Sequence, residues 1–185
     1  MIDQMTKDRV LRQIKTEQTV KLCSDLISIP SFKTEETKAA RFLANYFRRR
    51  GYEVDFQEVE PGRFQTIATL RGSGGGKSLM LNGHIDIDPL AMGWIREPFI
   101  PNWEGDRLYG AGVNNMKGGV TAMITAAEAI RKSKAPMKGD LVLACVVGEL
   151  QGGVGTVHAL NQGYITDGAY VAEPTGDGDN IMTVH

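Results

Sequence analysis

An α/β fold, with a mostly parallel sheet covered by helices on both faces, is the class this sequence predicts. Three observations carry that reading. Strand-like and helix-like segments alternate along the chain, the order that builds a largely parallel sheet clothed on both sides. Two strand candidates, Leu79-Met80-Leu81 and Leu141 to Val147, are continuous apolar runs of the kind found in strands buried on both faces. Polar residues follow such runs directly, at the position where open α/β sheets collect their ligands.

The elements follow in order. From about Lys7 to Ile29 apolar residues recur at helical spacing (Val10, Leu11, Ile14, Val20, Leu22, Leu26, Ile29) and predict one helix, stopped by Pro30. Thr34-Glu35-Glu36-Thr37 opens a second amphipathic helix through Ala40, Phe42, Leu43, Tyr46 and Phe47, closed by Gly51 at the C′ position. Arg48-Arg49-Arg50 in its last turn complements the helix dipole, and a solvated helix end explains it better than an anion site. Strands are predicted at Tyr52 to Val59, Gln65 to Arg71 and Ser78 to Asn82. The glycines of Gly72-Ser73-Gly74-Gly75-Gly76 lack the following helix and the Lys-Ser/Thr of a phosphate loop, so the run reads as a flexible hairpin connection. A long irregular stretch runs from Asp86 to about Gly112. It contains Trp94, Pro98, Phe99, Pro101 and Trp103, an aromatic content that argues for a functional loop over a disordered one. A helix from Met116 to about Lys132, a strand from Leu141 to Val147, a short helix from Gly153 to Asn161 and a strand from Gly168 to Ala172 complete the series, the last ending at Glu173-Pro174-Thr175. Ile181 to His185 reads as the opening of another strand, so the chain is expected to be part of a longer protein.

Composition narrows the function. Hydrophobic residues make up 42% and charged residues 23%, ordinary for a globular protein. A formal net charge of -1 leaves no basic stripe, which sets nucleic acid aside as a partner. Cys23 and Cys145 lie in apolar runs far apart, and two buried free thiols are the expected state. The N-terminal residues lack the apolar core of a signal peptide and no segment approaches a membrane span, so a cytoplasmic location is expected.

The chemistry gathers in three turns: Gly83-His84-Ile85-Asp86, the Gly110 to Gly119 segment around Asn115, and Gly148-Glu149-Leu150-Gln151-Gly152-Gly153. A His two residues before an Asp on an extended segment places both side chains on one face. That arrangement suits a metal-binding imidazole and a carboxylate that orients it. Singly, each residue has a bland explanation: a satisfied strand-end histidine, a turn-forming Asp86, a solvated Glu149, an Asn114 or Asn115 that caps a helix. Together, each at a predicted strand end or helix start, they favour a site for metal-assisted hydrolysis.

The segments Gly83-His84-Ile85-Asp86, Trp94 through Pro98-Phe99, Leu108 to Gly112, Asn115-Met116-Lys117-Gly118-Gly119, Glu149 with Gly152-Gly153 and Gly155, and Glu173-Pro174-Thr175 carry a family resemblance. They resemble the metal-dependent amidohydrolases and exopeptidases of the family of acetylornithine deacetylase, succinyl-diaminopimelate desuccinylase, aminoacylase-1 and glutamate carboxypeptidase, from roughly Thr16 to the end of the chain. The resemblance implies a three-layer, zinc-exopeptidase-like catalytic domain with a central mixed sheet. Residues 1–185 would be the N-terminal part of that domain, ending near the start of an inserted lid domain that is missing here. It further implies that His84 ligates one zinc, that Asp86 holds that imidazole, and that residue 115 occupies the place of an aspartate bridging two metals. Glu149 matches the general base, position 150 the place of a glutamate on the second metal, and Glu173 the carboxylate completing the first site.

Two departures bear on the metal. The bridging position is Asn115, which brings no charge and one good oxygen donor, and position 150 is Leu150, which cannot ligate. The arginine common in the Gly110-Ala111-Gly112 segment is also replaced, by Ala111. The expectation is therefore one tightly bound ion at most, zinc or else cobalt or manganese, held by His84, Asn115 and Glu173, with Asp86 and Glu149 as the catalytic carboxylates. The expected substrate is a small N-acyl amino acid or peptide-like compound, and homodimerisation is expected through the lid. Two rivals remain: a non-catalytic relative that binds a small molecule or partner on a degraded metal site, and a dipeptidase or exopeptidase.

Overall fold

A computed structural model of the chain describes residues 2–174. The elements run α1 (Gln4–Leu11), α2 (Thr16–Ile27), α3 (Thr37–Arg48), β1 (Glu53–Glu60), β2 (Arg63–Leu70), β3 (Leu79–His84), β4 (Asn102–Glu104), β5 (Arg107–Tyr109), α4 (Gly118–Ser133), β6 (Leu141–Val146), α5 (Val154–Asn161) and β7 (Gly168–Val171). The expected strand at 181–185, and Thr175, lie outside the described residues.

The main sheet has the order β1-β2-β6-β3-β7. β3 pairs in parallel with both β6 and β7, while β2 pairs antiparallel with both β1 and β6. The sheet is thus mixed, with its parallel part confined to the three strands whose carboxyl ends carry His84, the Glu149 turn and Glu173. The all-apolar β6 lies in the middle and is buried throughout, as its unbroken run of Leu, Val, Ala and Cys requires.

One face of the sheet is covered by α2, α3 and α4. Leu43 and Phe47 of α3 and Val120, Ile124 and Ala127 of α4 meet Ala68, Leu81, Leu143 and Cys145 in one cluster. On the opposite face Ala159 of α5 packs with Ile67, Met80, Val142, Ala144 and Val146. Residues alternating along β6 therefore serve opposite faces, which makes the three layers. Phe47 is fully buried, and burying such a side chain stabilises the fold by about 2–3 kcal/mol.

Three expectations need correction. The helix expected over Lys7 to Ile29 is two helices broken between Leu11 and Thr16. Asp3 caps α1 by accepting the Thr6 N–H at 2.7 Å, while Leu11 and Ile14, two of the apolar residues at helical spacing, are exposed. No breaker marks the bend in the sequence, and tertiary docking of α1 and α2 onto α4 sets it. The Gly72–Gly76 run is no hairpin, because β6 lies between β2 and β3. It is a strap laid against the segment before β6: Ser73 N–H donates to Met137 O and Gly74 N–H to Lys138 O, both at 2.8 Å. A Cβ at Gly72 or Gly139 would collide with facing backbone carbonyls, so glycine is required there for close approach. The loop after Asp86 is not wholly irregular either, since β4 and β5 form a small antiparallel hairpin within it.

Candidate active site

β3 ends at His84, and its last pairing is with Val146 of β6. The chain then turns, with Ile85 N–H still donating to Val146 O at 2.9 Å. Ser31 braces this turn through its hydroxyl, which donates to Ile85 O at 2.7 Å. His84 and Asp86 are accordingly buried, at 2% and 0% exposure. The imidazole Nδ1 lies 2.9 Å from the Asp86 carbonyl oxygen and 3.5 Å from its carboxylate Oδ1.

Asn115 comes from the turn Val113–Lys117 that opens α4, where the Asn115–Met116 peptide is cis. Its Oδ1 stands 2.7 Å from His84 Nε2. Glu173, two residues past β7, brings Oε2 to 3.5 Å from the same nitrogen, and Glu149 brings Oε2 to 4.0 Å. The five residues expected at the site, His84, Asp86, Asn115, Glu149 and Glu173, therefore meet at the carboxyl edge of the parallel strands. Close packing keeps them there: Gly119 lets the first turn of α4 approach the Ala172 carbonyl, next to Glu173.

One detail differs from expectation. His84, which the resemblance assigns to a metal, has its Nε2 engaged by the amide oxygen of Asn115. An aspartate at this place would offer a charged oxygen; the amide pairs with the ring N–H and closes that approach in part.

Asp86 does more than hold the imidazole. Its two carboxylate oxygens accept the backbone N–H groups of Glu149 at 3.3 Å and Leu150 at 3.2 Å. One buried carboxylate thus ties the histidine strand to the turn of the base. Burial works against its ionisation, but His84 and the Leu150 N–H outweigh it and hold the Asp86 carboxyl below the usual range. Burial likewise works against protonated His84, yet Asp86, Asn115 and Glu173 raise its pKa to about 9. Burial pushes the Glu173 carboxyl up, and the charge of Glu149 adds to this, with His84 opposing. Glu149 itself is half exposed, so water reaches its carboxylate.

Two supporting residues had no assigned role in the sequence. Lys117 is buried, and its ammonium donates to the carbonyls of Leu26 at 2.9 Å and Ile29 at 2.8 Å, at the C-terminal end of α2. It ties that helix end to the Asn115 turn, and burial lowers its pKa to about 8. A lysine beside two glycines at a helix start was the one available signal. Met116 places its sulfur 3.2 Å from His84 N, and nothing in its sequence context marks that contact.

The donors at the site can be named from the geometry. Asn115 Oδ1 and Glu173 Oε2 both lie beside His84 Nε2, at 2.7 and 3.5 Å, whereas the side chain of Leu150 carries no donor atom. Among the described residues no group of three His, Cys, Asp or Glu side chains is placed to hold a metal.

Comparison with known proteins agrees with the geometry. A family profile described as Peptidase family M20/M25/M40 matches residues 80–184, more than half of the chain. The chain belongs to this family. An M20 relation also appears in full sequences. The chain is 32% identical over 166 residues to N-formyl-4-amino-5-aminomethyl-2-methylpyrimidine deformylase of Bacillus subtilis, covering 85% of this chain and 38% of that protein. It is 27% identical to a probable succinyl-diaminopimelate desuccinylase of Staphylococcus aureus, covering 88% and 40%. The chain thus spans about two fifths of the length of these relatives. A tripeptidase from Staphylococcus aureus superposes with a TM-score of 0.74 at 20% identity, over 89% of this chain and 45% of that one, which shows the shared fold.

Proposed function

We propose that the protein is a metal-dependent hydrolase of an amide bond in small N-acyl amino acids or related compounds. The observation that carries this is the convergence of His84, Asn115, Glu149 and Glu173 around one space at the carboxyl edge of the sheet. The deformylase and desuccinylase among its relatives act on acyl groups carried by small amines, which supports an acyl amide over a peptide as substrate. Cytoplasmic location belongs to the same proposal; among the described residues no helix is long and apolar enough to cross a membrane.

His84, Asn115 and Glu173 would hold one divalent ion, zinc being the best match to an imidazole and a carboxylate. When bound, such an ion supplies Lewis acidity to the amide carbonyl and to water. The chain's residues divide the remaining work. Glu149, exposed to solvent at the rim, accepts a proton from the attacking water on a carboxylate oxygen and returns it to the leaving nitrogen. Asp86 holds the imidazole Nδ1 by its backbone carbonyl oxygen and holds the Glu149 turn by its carboxylate, which accepts two N–H groups, so base and histidine keep one mutual distance.

A non-catalytic binding role is favoured by one observation, the Asn115 amide on His84 Nε2. Turnover separates the readings. The full-length protein, loaded with zinc, cobalt or manganese, is assayed on N-formyl, N-acetyl and N-succinyl amines beside dipeptides. Hydrolysis of an N-acyl compound that depends on added metal is expected. Binding of these compounds without any hydrolysis would overturn the enzyme reading, and cleavage of dipeptides alone would replace the substrate class.

A further inference from the structure

The turn that carries Glu149 is gripped from two sides. Asp86 takes its backbone N–H groups from one side, as described. From the other side comes Arg63, the first residue of β2, which is 3% exposed. Its Nε donates to Glu36 Oε2 at 2.9 Å, and Nη2 donates to Glu36 Oε1. Glu36 is fully buried just ahead of α3. The remaining edge of the guanidinium, Nη1, donates to Glu60 Oε2 at 2.8 Å and to Gln151 Oε1 at 2.6 Å. Gln151 ends the short turn Glu149–Gln151. A Cβ on the neighbouring Gly148, which adopts φ +71°, would come within 3.0 Å of Arg63 Nη2. The guanidinium therefore lies directly against the turn.

We propose that Arg63, clamped by Glu36 and acting through Gln151, is a positioning residue for Glu149. This rests on the reading of Glu149 as general base. Stability alone does not account for the arrangement, since a buried ion pair recovers little beyond its desolvation cost. Gln151 is an exposed residue, yet its amide oxygen turns in to the guanidinium. Arginine suits the task because its rigid planar fork serves two targets at fixed angles, which an ammonium cannot do. With Asp86 on the backbone and Arg63 on a side chain, the turn is held at both ends. Geometry of this kind matters for catalysis because a misplacement of about 1 Å costs roughly 10²-fold in rate.

Replacing Arg63 would leave the buried Glu36 carboxylate without its cationic partner and destabilise the whole domain, so the test falls on Gln151. In the full-length protein, Gln151→Leu, Gln151→Glu and Glu149→Gln are compared with the unaltered protein. The readouts are turnover of an N-formyl, N-acetyl and N-succinyl amine panel and hydrogen exchange of residues 148–153. Gln151→Leu is expected to lower kcat about tenfold with KM within about twofold. It is also expected to speed exchange in the turn while β6 and α5 stay protected. Gln151→Glu keeps an acceptor for Nη1 and is expected to restore kcat. Unchanged kcat in Gln151→Leu, with Glu149→Gln inactive, would overturn the inference and leave the base standing. Loss of protection through β6 and α5 would show a merely structural contact and overturn it too. Full turnover in Glu149→Gln would sink the base reading, and this inference with it.

Discussion

At the scale of single residues, Glu149 and the two thiols make opposite use of burial. Glu149 stands half exposed at the rim, so its carboxylate meets water while its backbone is fixed by Asp86. Replacing it by Gln keeps the shape and removes the proton acceptor. The expected loss in kcat is about 10²- to 10⁴-fold, the contribution of a positioned acid–base group, with metal content unchanged; kinetics on the best N-acyl substrate measures it. Cys145, by contrast, is buried near the end of β6, and burial pushes its thiol up to about 12. Burial raises Cys23 as well, outweighing Thr121 and Lys117. The thiolate is the reactive form, so native protein at pH 8 is expected to consume no disulfide reagent until denaturant is added. Rapid modification of either cysteine in the native state would contradict the packing described. These residue-level features were legible because each stood beside a recognisable run: His84 and Asp86 at a strand end, Cys145 within an apolar strand. The bond from Asn115 to His84 Nε2 was not, since sequence spacing carries no information on which oxygen reaches a ring nitrogen.

Among elements, local pattern served well where one face is buried and poorly where docking decides. α3 announces itself by period and β6 by an unbroken apolar run, and β6 stands within a residue of where the sequence places it. The break between α1 and α2 has no local mark, because the residues around it suit a helix and only their packing on α4 bends the chain. The Gly72–Gly76 strap misled for a related reason. Its glycines answer to the backbone of the segment before β6, which is distant in sequence. A second long-range tie joins the segment between α3 and β1 to α4: Tyr52 Oη donates to Glu128 Oε1 at 2.9 Å, and Arg131 holds both carboxylate oxygens. Burial works against ionised Glu128, but Arg131 and Tyr52 outweigh it and hold the carboxyl below its usual range. A depressed folded pKa means the tie stabilises above the unfolded value of about 4.3 and fades as pH falls through the folded one. Glu128→Gln is therefore expected to cost about 2 kcal/mol near pH 7, with the gap to the unaltered protein narrowing on acidification toward about pH 3. Urea midpoints at the two pH values test this, and an equal gap at both would show that ionisation is not what Glu128 contributes.

For the whole molecule, the α/β class and the edge of the sheet bearing the candidate site were readable because one physical rule covers both. The parallel strands β3 and β6 carry continuous apolar runs, and polar residues follow those runs at the carboxyl ends, where open α/β sheets bind ligands. Strand order was not readable, since nothing local to β2, β3 or β6 says that β6 inserts between the other two. The account of the site turns on charge. A two-ion centre needs anionic oxygens between and around its cations, whereas Asn115 supplies a neutral one and Leu150 supplies none. Metal content, determined by elemental analysis of the purified full-length protein against chain concentration, tests this most directly. The account predicts at most one divalent equivalent in the unaltered protein, rising when Asn115→Asp is combined with Leu150→Glu. Two equivalents in the unaltered protein would contradict it.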